Sequence, residues 1–278
     1  MYRVLVFGMT ENPGGVESVI MNYYRCIDKT KIQFDFLCNF HEDAAYEDEL
    51  TAMGGNVFHI TARSENYGKY KKELKAFFKD SQGTYDAIWV NVCSLANIDY
   101  LIMAKKYGIP RRIIHSHNSQ NMDSKLRGIL HKRNRRRIDK FATDFWTCSE
   151  DAAKWFYEKR LLPKVVMIRN SISVERMAFD EEKRKKYRKQ LQCNDDTWVI
   201  GNVGRLHFQK NQKFCLDIFQ HFLKKYPNAC LVLIGQGEDE TDLKMLSARY
   251  GISEKVYFAG MQTDICGWLS AFDTFLFP

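Results

Sequence analysis

The feature that most constrains this chain is a rhythm: short apolar runs alternate with amphipathic stretches almost from end to end. In the first half the apolar runs cover 3–8, 33–38, 57–60, 86–91, 112–115, 145–148 and 165–168. Between the first two, residues 16, 19, 20, 23, 24 and 27 are apolar, the stripe of a helix lying on a sheet. Residues 95–107 and 151–159 repeat that spacing. Such alternation predicts an α/β fold with parallel strands covered on both faces. The rhythm pauses over 170–191, which is polar, highly charged and without a strand pattern. A second series follows, with strands predicted at 198–203, 230–234, 256–258 and 274–277 and helices at 211–225, 240–250 and 264–272. We therefore expect two α/β domains, 1–169 and 170–278. At roughly 30 residues per β/α unit, a second sheet as large as the first would need about 60 more residues.

Length and composition narrow the class. With 278 residues the chain can bury a core without disulfide or metal staples. Hydrophobic residues at 45% against 27% charged exclude a disordered chain. No run approaches the length of a membrane-spanning helix, and the first residues read as a buried strand rather than a signal peptide. The eight cysteines show no metal-binding spacing, and several sit inside apolar runs. They read as reduced thiols packed as small hydrophobes in a cytoplasmic protein.

Charge is unevenly spread. Residues 125–140 hold eight Lys/Arg, among them Arg133, Arg135, Arg136 and Arg137, and a second basic run covers 183–189. Such runs point either to a polyanion or to a solvated helix face. A nucleic-acid-binding protein is the reading from a different class, but no zinc spacing or aromatic RNA-binding motif accompanies the charge.

Several strand ends carry candidate chemistry. Gly14-Gly15 closes the loop after the first strand where a helix begins, so free N–H groups could meet an anion. The G-x-G-x-x-G dinucleotide fingerprint is absent. A tight turn explains the pair equally well. His115 and His117 follow a strand, at the edge where ligands of open parallel sheets lie. H-x-H could ligate a metal, but no further ligand cluster is near, and His115 reads equally as a packed core histidine. Cys148-Ser149 ends another strand, with Ser149 as a helix cap rather than Cys148 as a nucleophile. The sharpest group is Gly204-Arg205, with Lys210-Asn211 opening the next helix. A guanidinium and an ammonium beside a helix N-terminus form a diphosphate clamp. Gly235-x-Gly237 and Gly260 end the next two strands in turns that face the same edge.

In sequence order these elements resemble GT-B glycosyltransferases of family 4, the bacterial capsular and exopolysaccharide type. The resemblance runs from Gly14-Gly15-Val16-Glu17 through His115-Ser116-His117-Asn118 and Cys148-Ser149-Glu150 to Gly204-Arg205 and Lys210, and on to Gly235, Gly237, Gly260 and Phe275-Leu276-Phe277-Pro278. It implies two Rossmann-like domains facing a cleft, the first on the acceptor side and the second, incomplete, binding the nucleotide sugar. It implies retaining, metal-independent transfer with no cofactor, from a UDP-linked nucleotide-sugar donor to a lipid-linked or oligosaccharide acceptor. Arg205 and Lys210 match the diphosphate-binding pair, Gly15 the loop near the donor phosphates, and His117 the histidine near the transferred sugar. The basic segment would dock the protein on the anionic inner face of the plasma membrane. The family continues past F-x-F-P with a Glu-Gly segment and a second Glu that hold the donor, so the chain reads as a fragment or disrupted gene product with impaired turnover. A nucleotide-sugar 2-epimerase and a non-catalytic binding fragment remain as alternatives.

Overall fold

Val4, Leu5, Val6 and Phe7 are all buried, the even positions toward one face of a sheet and the odd toward the other. A strand apolar on both faces belongs in the middle of a covered parallel sheet. The structure, a computed structural model, describes residues 1–120 and 124–278. The chain forms two compact units, Met1–Ile172 and Ser173–Pro278.

In the first unit the order is β1 (Tyr2–Phe7), α1 (Gly15–Cys26), β2 (Ile32–Cys38), α2 (Glu47–Ala52), β3 (Val57–His59), α3 (Tyr67–Asp80), β4 (Ala87–Val92), α4 (Asp99–Lys106), β5 (Arg111–Ser116), α5 (Lys125–Arg135), β6 (Asp144–Thr147), α6 (Glu150–Phe156) and β7 (Val165–Met167). The strands pair in parallel in the order β3-β2-β1-β4-β5-β6-β7. One face packs Val4, Val6, Phe34, Phe36 and Trp89 against Ile20 and Tyr24 of α1. The other packs Leu5, Ile88, Ile114 and Phe145 against Leu74 and Phe78 of α3, Leu101 of α4 and Phe156 of α6. Each fully buried Leu or Phe contributes about 1.5–3 kcal/mol. The α3 helix lies where the sequence reading assigns no element. Its buried Tyr70, Leu74 and Phe78 recur at helical spacing, and Asn66 caps it by accepting from Lys69 N at 3.0 Å.

The second unit contains α7 (Glu181–Gln190), β8 (Trp198–Val203), α8 (Gln212–Leu223), β9 (Ala229–Ile234), α9 (Glu240–Arg249), β10 (Val256–Gly260), α10 (Ile265–Ala271) and β11 (Thr274–Phe275). Its parallel strand order is β10-β9-β8-β11. Leu231 and Leu233 face Leu216, Phe219 and Leu243, while Val199, Val232 and Ile234 face Trp268 and Ala271. The basic run of α7 is neither a polyanion site nor a wholly solvated face. Arg188 is buried and donates to Asp273 Oδ2 at 3.0 Å and to the carbonyls of Asn194 and Thr197 at 2.6 Å. Arg184 binds Asp273 Oδ1 at 2.6 Å, and Lys183 binds Asp264 at 2.9 Å. The run ties α7 to α10 and to the start of β11.

In both sheets the first strand is flanked on opposite sides, β1 by β2 and β4, and β8 by β9 and β11. Crossovers diverge at such a point and leave a crevice outside the carboxyl ends of the strands, where ligands of open α/β sheets bind. The loops after β1 and β8 hold Gly14, Gly15, Gly204, Arg205 and Lys210. Among the described residues, no helix is long and apolar enough to cross a membrane.

Candidate functional site

The carboxyl ends of β8, β9 and β10 are stitched together by backbone. Gly204 N donates to Ile234 O at 2.9 Å, Gly235 N to Gly260 O at 2.9 Å, and Leu206 N to Gln236 O at 3.0 Å. Gly235 has φ +132°, and a methyl there would overlap the Gly204 carbonyl oxygen. A methyl at Gly237 would overlap the carbonyl oxygen of Leu206. These two glycines are required by backbone packing within the shelf, whatever lies above it. Gly260, at φ +65°, closes the third strand beside a register shift.

Arg205 and Lys210 stand on this shelf. Arg205 is 69% exposed and reaches Glu238 Oε2 at 3.0 Å, while His207 Nε2 lies 3.1 Å from Glu238 Oε1. The Glu238 carboxyl is held below its ordinary range, first by a backbone hydrogen bond at its own position and then by the nearby Arg205 and His207 charges. An exposed pair of this kind is worth little, so an incoming phosphate can replace the carboxylate at small cost. The Lys210 stem lies across Gly204, where an added methyl would be 3.4 Å from its Cγ and Cδ. Asn211 takes a left-handed turn at φ 50° and leads into α8 without a side-chain cap. The first turn of α8 thus offers uncapped N–H groups and the positive end of the helix beside both cations.

Two residues that hold this loop were missed in the sequence. Buried Gln212 donates to Arg205 O at 3.1 Å and to Asn202 Oδ1 at 3.3 Å, and Asn202 donates to Leu276 O at 2.9 Å. Their signal was available: a polar Asn inside an apolar strand, and a Gln at the start of the following helix.

In the first unit, Gly14 caps α1 through backbone alone, and a methyl on Gly15 would meet nothing within 4 Å. Among the described residues, the space over Gly15 is therefore open. Gly14 is different: a methyl there would come within 2.7 Å of Glu17 Oε2. Glu17 is buried and accepts from Thr10 Oγ1 at 2.7 Å, so the loop already carries a resident carboxylate.

Asn91, near the end of β4, sets the state of His117. Its Nδ2 faces Phe7 O at 3.3 Å and its Oδ1 faces His117 Nε2 at 2.9 Å. A carbonyl oxygen only accepts, so the amide orientation is determined. His117 must carry its proton on Nε2, leaving Nδ1 as an acceptor. Gly8, at φ +130°, lets β1 approach: a methyl there would be 2.6 Å from Asn91 Cβ. Burial pushes His117 down to about 4, and burial with the neighbouring His117 pushes His115 down to about 3. His115 is a packed histidine, fully buried between Trp89 and Trp146, and among the described residues neither ring nitrogen has a hydrogen-bond partner. Ser149 caps α6 by accepting from Ala152 N at 3.2 Å.

The basic segment divides. Arg135 turns inward, donating to Tyr157 O at 2.6 Å and Lys154 O at 2.9 Å, and Arg137 donates to Asn134 Oδ1 at 3.1 Å and lies over the Phe141 ring. Arg133 and Arg136 are exposed. The inner side of α5 is fixed by Asn134 Nδ2 donating to Leu95 O at 2.7 Å and by Leu95 N donating to His131 Nδ1 at 3.1 Å. The same helix exposes Leu126 by 67% and Ile129 by 63%, two apolar residues that charge counting passed over.

Residues 183–278 match the family described as glycosyl transferases group 1. The Bacillus subtilis protein EpsF, provisionally named a glycosyltransferase, is 27% identical over 99% of this chain and 73% of its own length. The capsular polysaccharide biosynthesis glycosyltransferase CapH of Staphylococcus aureus is 23% identical over all of this chain and 75% of its own. Among solved structures, Anabaena HepE in complex with UDP and glucose superposes with a TM-score of 0.74 at 18% identity, over 99% of this chain and 73% of that one. The chain has the α/β fold of the GT-B glycosyltransferases, its second unit matches glycosyl transferases group 1, and its relatives include a glycosyltransferase of polysaccharide biosynthesis.

Proposed function

We propose that the protein is a retaining, metal-independent glycosyltransferase of family 4. It would move a hexose from a UDP-sugar to a lipid-linked or saccharide acceptor in surface polysaccharide assembly. The observation that carries this reading is the placement of Arg205 and Lys210 at the uncapped start of α8, on the Gly204–Gly235–Gly260 shelf. The donor diphosphate lies against the α8 N-terminus. Arg205 exchanges Glu238 for a phosphate oxygen, and Lys210 supplies the second charge. These cations stabilise the negative charge that grows on the departing nucleoside diphosphate, the role a divalent metal fills elsewhere. Gln212 and Asn202 act through the loop backbone as positioning residues. Gly15 offers backbone N–H to the donor phosphates, and Gly14 shapes the loop around Glu17. His117, neutral at physiological pH, offers Nδ1 to a sugar hydroxyl. The HepE complex with UDP and glucose supports a UDP-linked donor, and CapH supports polysaccharide assembly. Leu126 and Ile129 beside Arg133 and Arg136 suit an anionic bilayer surface, each cation contributing about 1 kcal/mol.

The test is transfer in EDTA from radiolabelled UDP-sugars to undecaprenyl-diphosphate-linked saccharide, with the anomeric configuration of the product read by NMR. A labelled product that keeps the donor's configuration is expected. An inverted product, a requirement for divalent metal, or conversion of the donor alone to its 2-epimer would contradict the reading.

A further inference from the structure

Cys193 and Cys230 are not isolated hydrophobes: their sulfur atoms lie 3.5 Å apart. The two thiols have different mechanical settings. Cys230 is held inside β9, in register opposite Val199 of β8. Cys193 lies just past α7, after Gln192 in a left-handed turn at φ 57°, and belongs to the loop that leads to β8. Both are half-buried, and a cavity of about 390 Å³ opens beside Cys193. Its walls carry Arg184, Lys185, Arg188 and Lys189 beside Glu181 and Asp195, and these cations are largely neutralised, Arg184 and Arg188 by Asp273 and Lys185 by Glu182. Cys193 lines the cavity, and the second thiol lies against its sulfur.

We propose that Cys193 and Cys230 form a dithiol exchange site for a small-molecule disulfide of the oxidised-glutathione type, closing to an internal disulfide between the α7–β8 loop and β9. The Cys193 thiolate attacks one sulfur of the small disulfide. That sulfur–sulfur bond breaks, and one small thiolate leaves and takes up a proton. Cys230 then gives its proton to water, its sulfur attacks Cys193 Sγ in the mixed disulfide, and the second small thiolate leaves. Two protein thiols are oxidised, one small disulfide is reduced to two thiols, and no other oxidant enters. The sulfurs must approach from 3.5 Å to about 2.0 Å, a shift of about 1.5 Å that falls on the loop holding Cys193 rather than on the strand. Burial pushes the Cys230 thiol up to about 12, which suits it to the second, intramolecular step rather than the first.

The experiment uses the full chain without denaturant. It is incubated with oxidised glutathione, quenched with iodoacetamide, digested, and mapped by mass spectrometry. The expected result is a peptide pair linked through Cys193 and Cys230. In Cys230→Ser the reaction should stop at a glutathione adduct on Cys193, and in Cys193→Ser neither species should form at this pair. Full alkylation of Cys193 and Cys230 in the wild-type chain would overturn the proposal, as would a Cys193 adduct that never resolves.

Discussion

Removing the Asp273 carboxylate should melt the second unit. Asp273 accepts from Arg188 at 3.0 Å, from Arg184 at 2.6 Å and from Val199 N at 2.8 Å. Its own N–H donates to Val199 O at 2.8 Å. One carboxylate thus joins α7 to β8 and β11, the two strands that flank the candidate crevice. Its carboxyl is pushed up by burial, but the Val199 N–H, Arg184 and Arg188 outweigh this and hold it below the ordinary range. In Asp273→Ala, Arg184 keeps its bond to Ser270 O at 3.1 Å and is partly exposed, so its loss is small. Arg188 is only 4% exposed and becomes a buried charge without a counter-ion. Breaking a buried pair by removing one partner costs about 3–5 kcal/mol. The carbonyls of Ala271, Asn194 and Thr197 still receive the guanidinium, so the low end of that range applies. At roughly 4–8 °C per kcal/mol for a domain of this size, Tm should fall by about 12 °C or more. Differential scanning calorimetry resolves this. The Arg188→Met/Asp273→Leu double variant should recover most of the loss, because it leaves no charge buried. A single-variant shift under about 2 °C, or a double variant no better than the single, would refute the reasoning.

Other predictions address the first unit. His115 and His117 are buried neutral, at about 3 and about 4, so the unfolded chain binds more protons below its own histidine range near 6.5. Stability should therefore be steady above about pH 7 and fall as pH drops from about 6.5 toward 4, and urea midpoints across that range check it. Asn91→Leu should abolish the single Nε2–H tautomer of His117, read from imidazole ¹⁵N shifts, and weaken donor binding about fivefold, the worth of one hydrogen bond. Reversing Arg133 and Arg136 to Glu should lower partition onto anionic vesicles at least about tenfold at low salt. The same reversal at the inward-turned Arg135 should cost stability instead.

Much of this fold was legible because it is written in local patterns. Apolar runs of five or six residues give strands such as β1, β4 and β8 within a residue or two of their bounds, and Ser149 announces its cap. The glycines at 235 and 237 are legible as turns, but their reason is the approach of Gly204 and Leu206 carbonyls from a neighbouring strand end. That contact belongs to the sheet and not to the turn. Arg188 misleads for a similar reason. It sits in a run of lysines that reads as a solvated face, and its carboxylate partner lies at Asp273, far along the chain. The stripe Arg184, Tyr187, Arg188 and Leu191 carried a helical signal that charge concealed. In the candidate site, the segment from Gly204 to Lys210 is contiguous and therefore readable. Asn91, Asn202 and Gln212 act through partners brought near only by folding, as does the inward turn of Arg135 onto Lys154 and Tyr157.

The central claim is that Arg205 and Lys210 hold a nucleoside diphosphate at the start of α8 without metal. Isothermal titration of the full chain with UDP in EDTA tests it most directly. Saturable binding is expected in the wild-type protein, weakened at least about tenfold in Arg205→Ala and again in Lys210→Ala, since each removes a charge-assisted contact of about 1.5–3 kcal/mol. Binding that is unchanged in both variants, or that appears only when a divalent cation is added, would contradict the account.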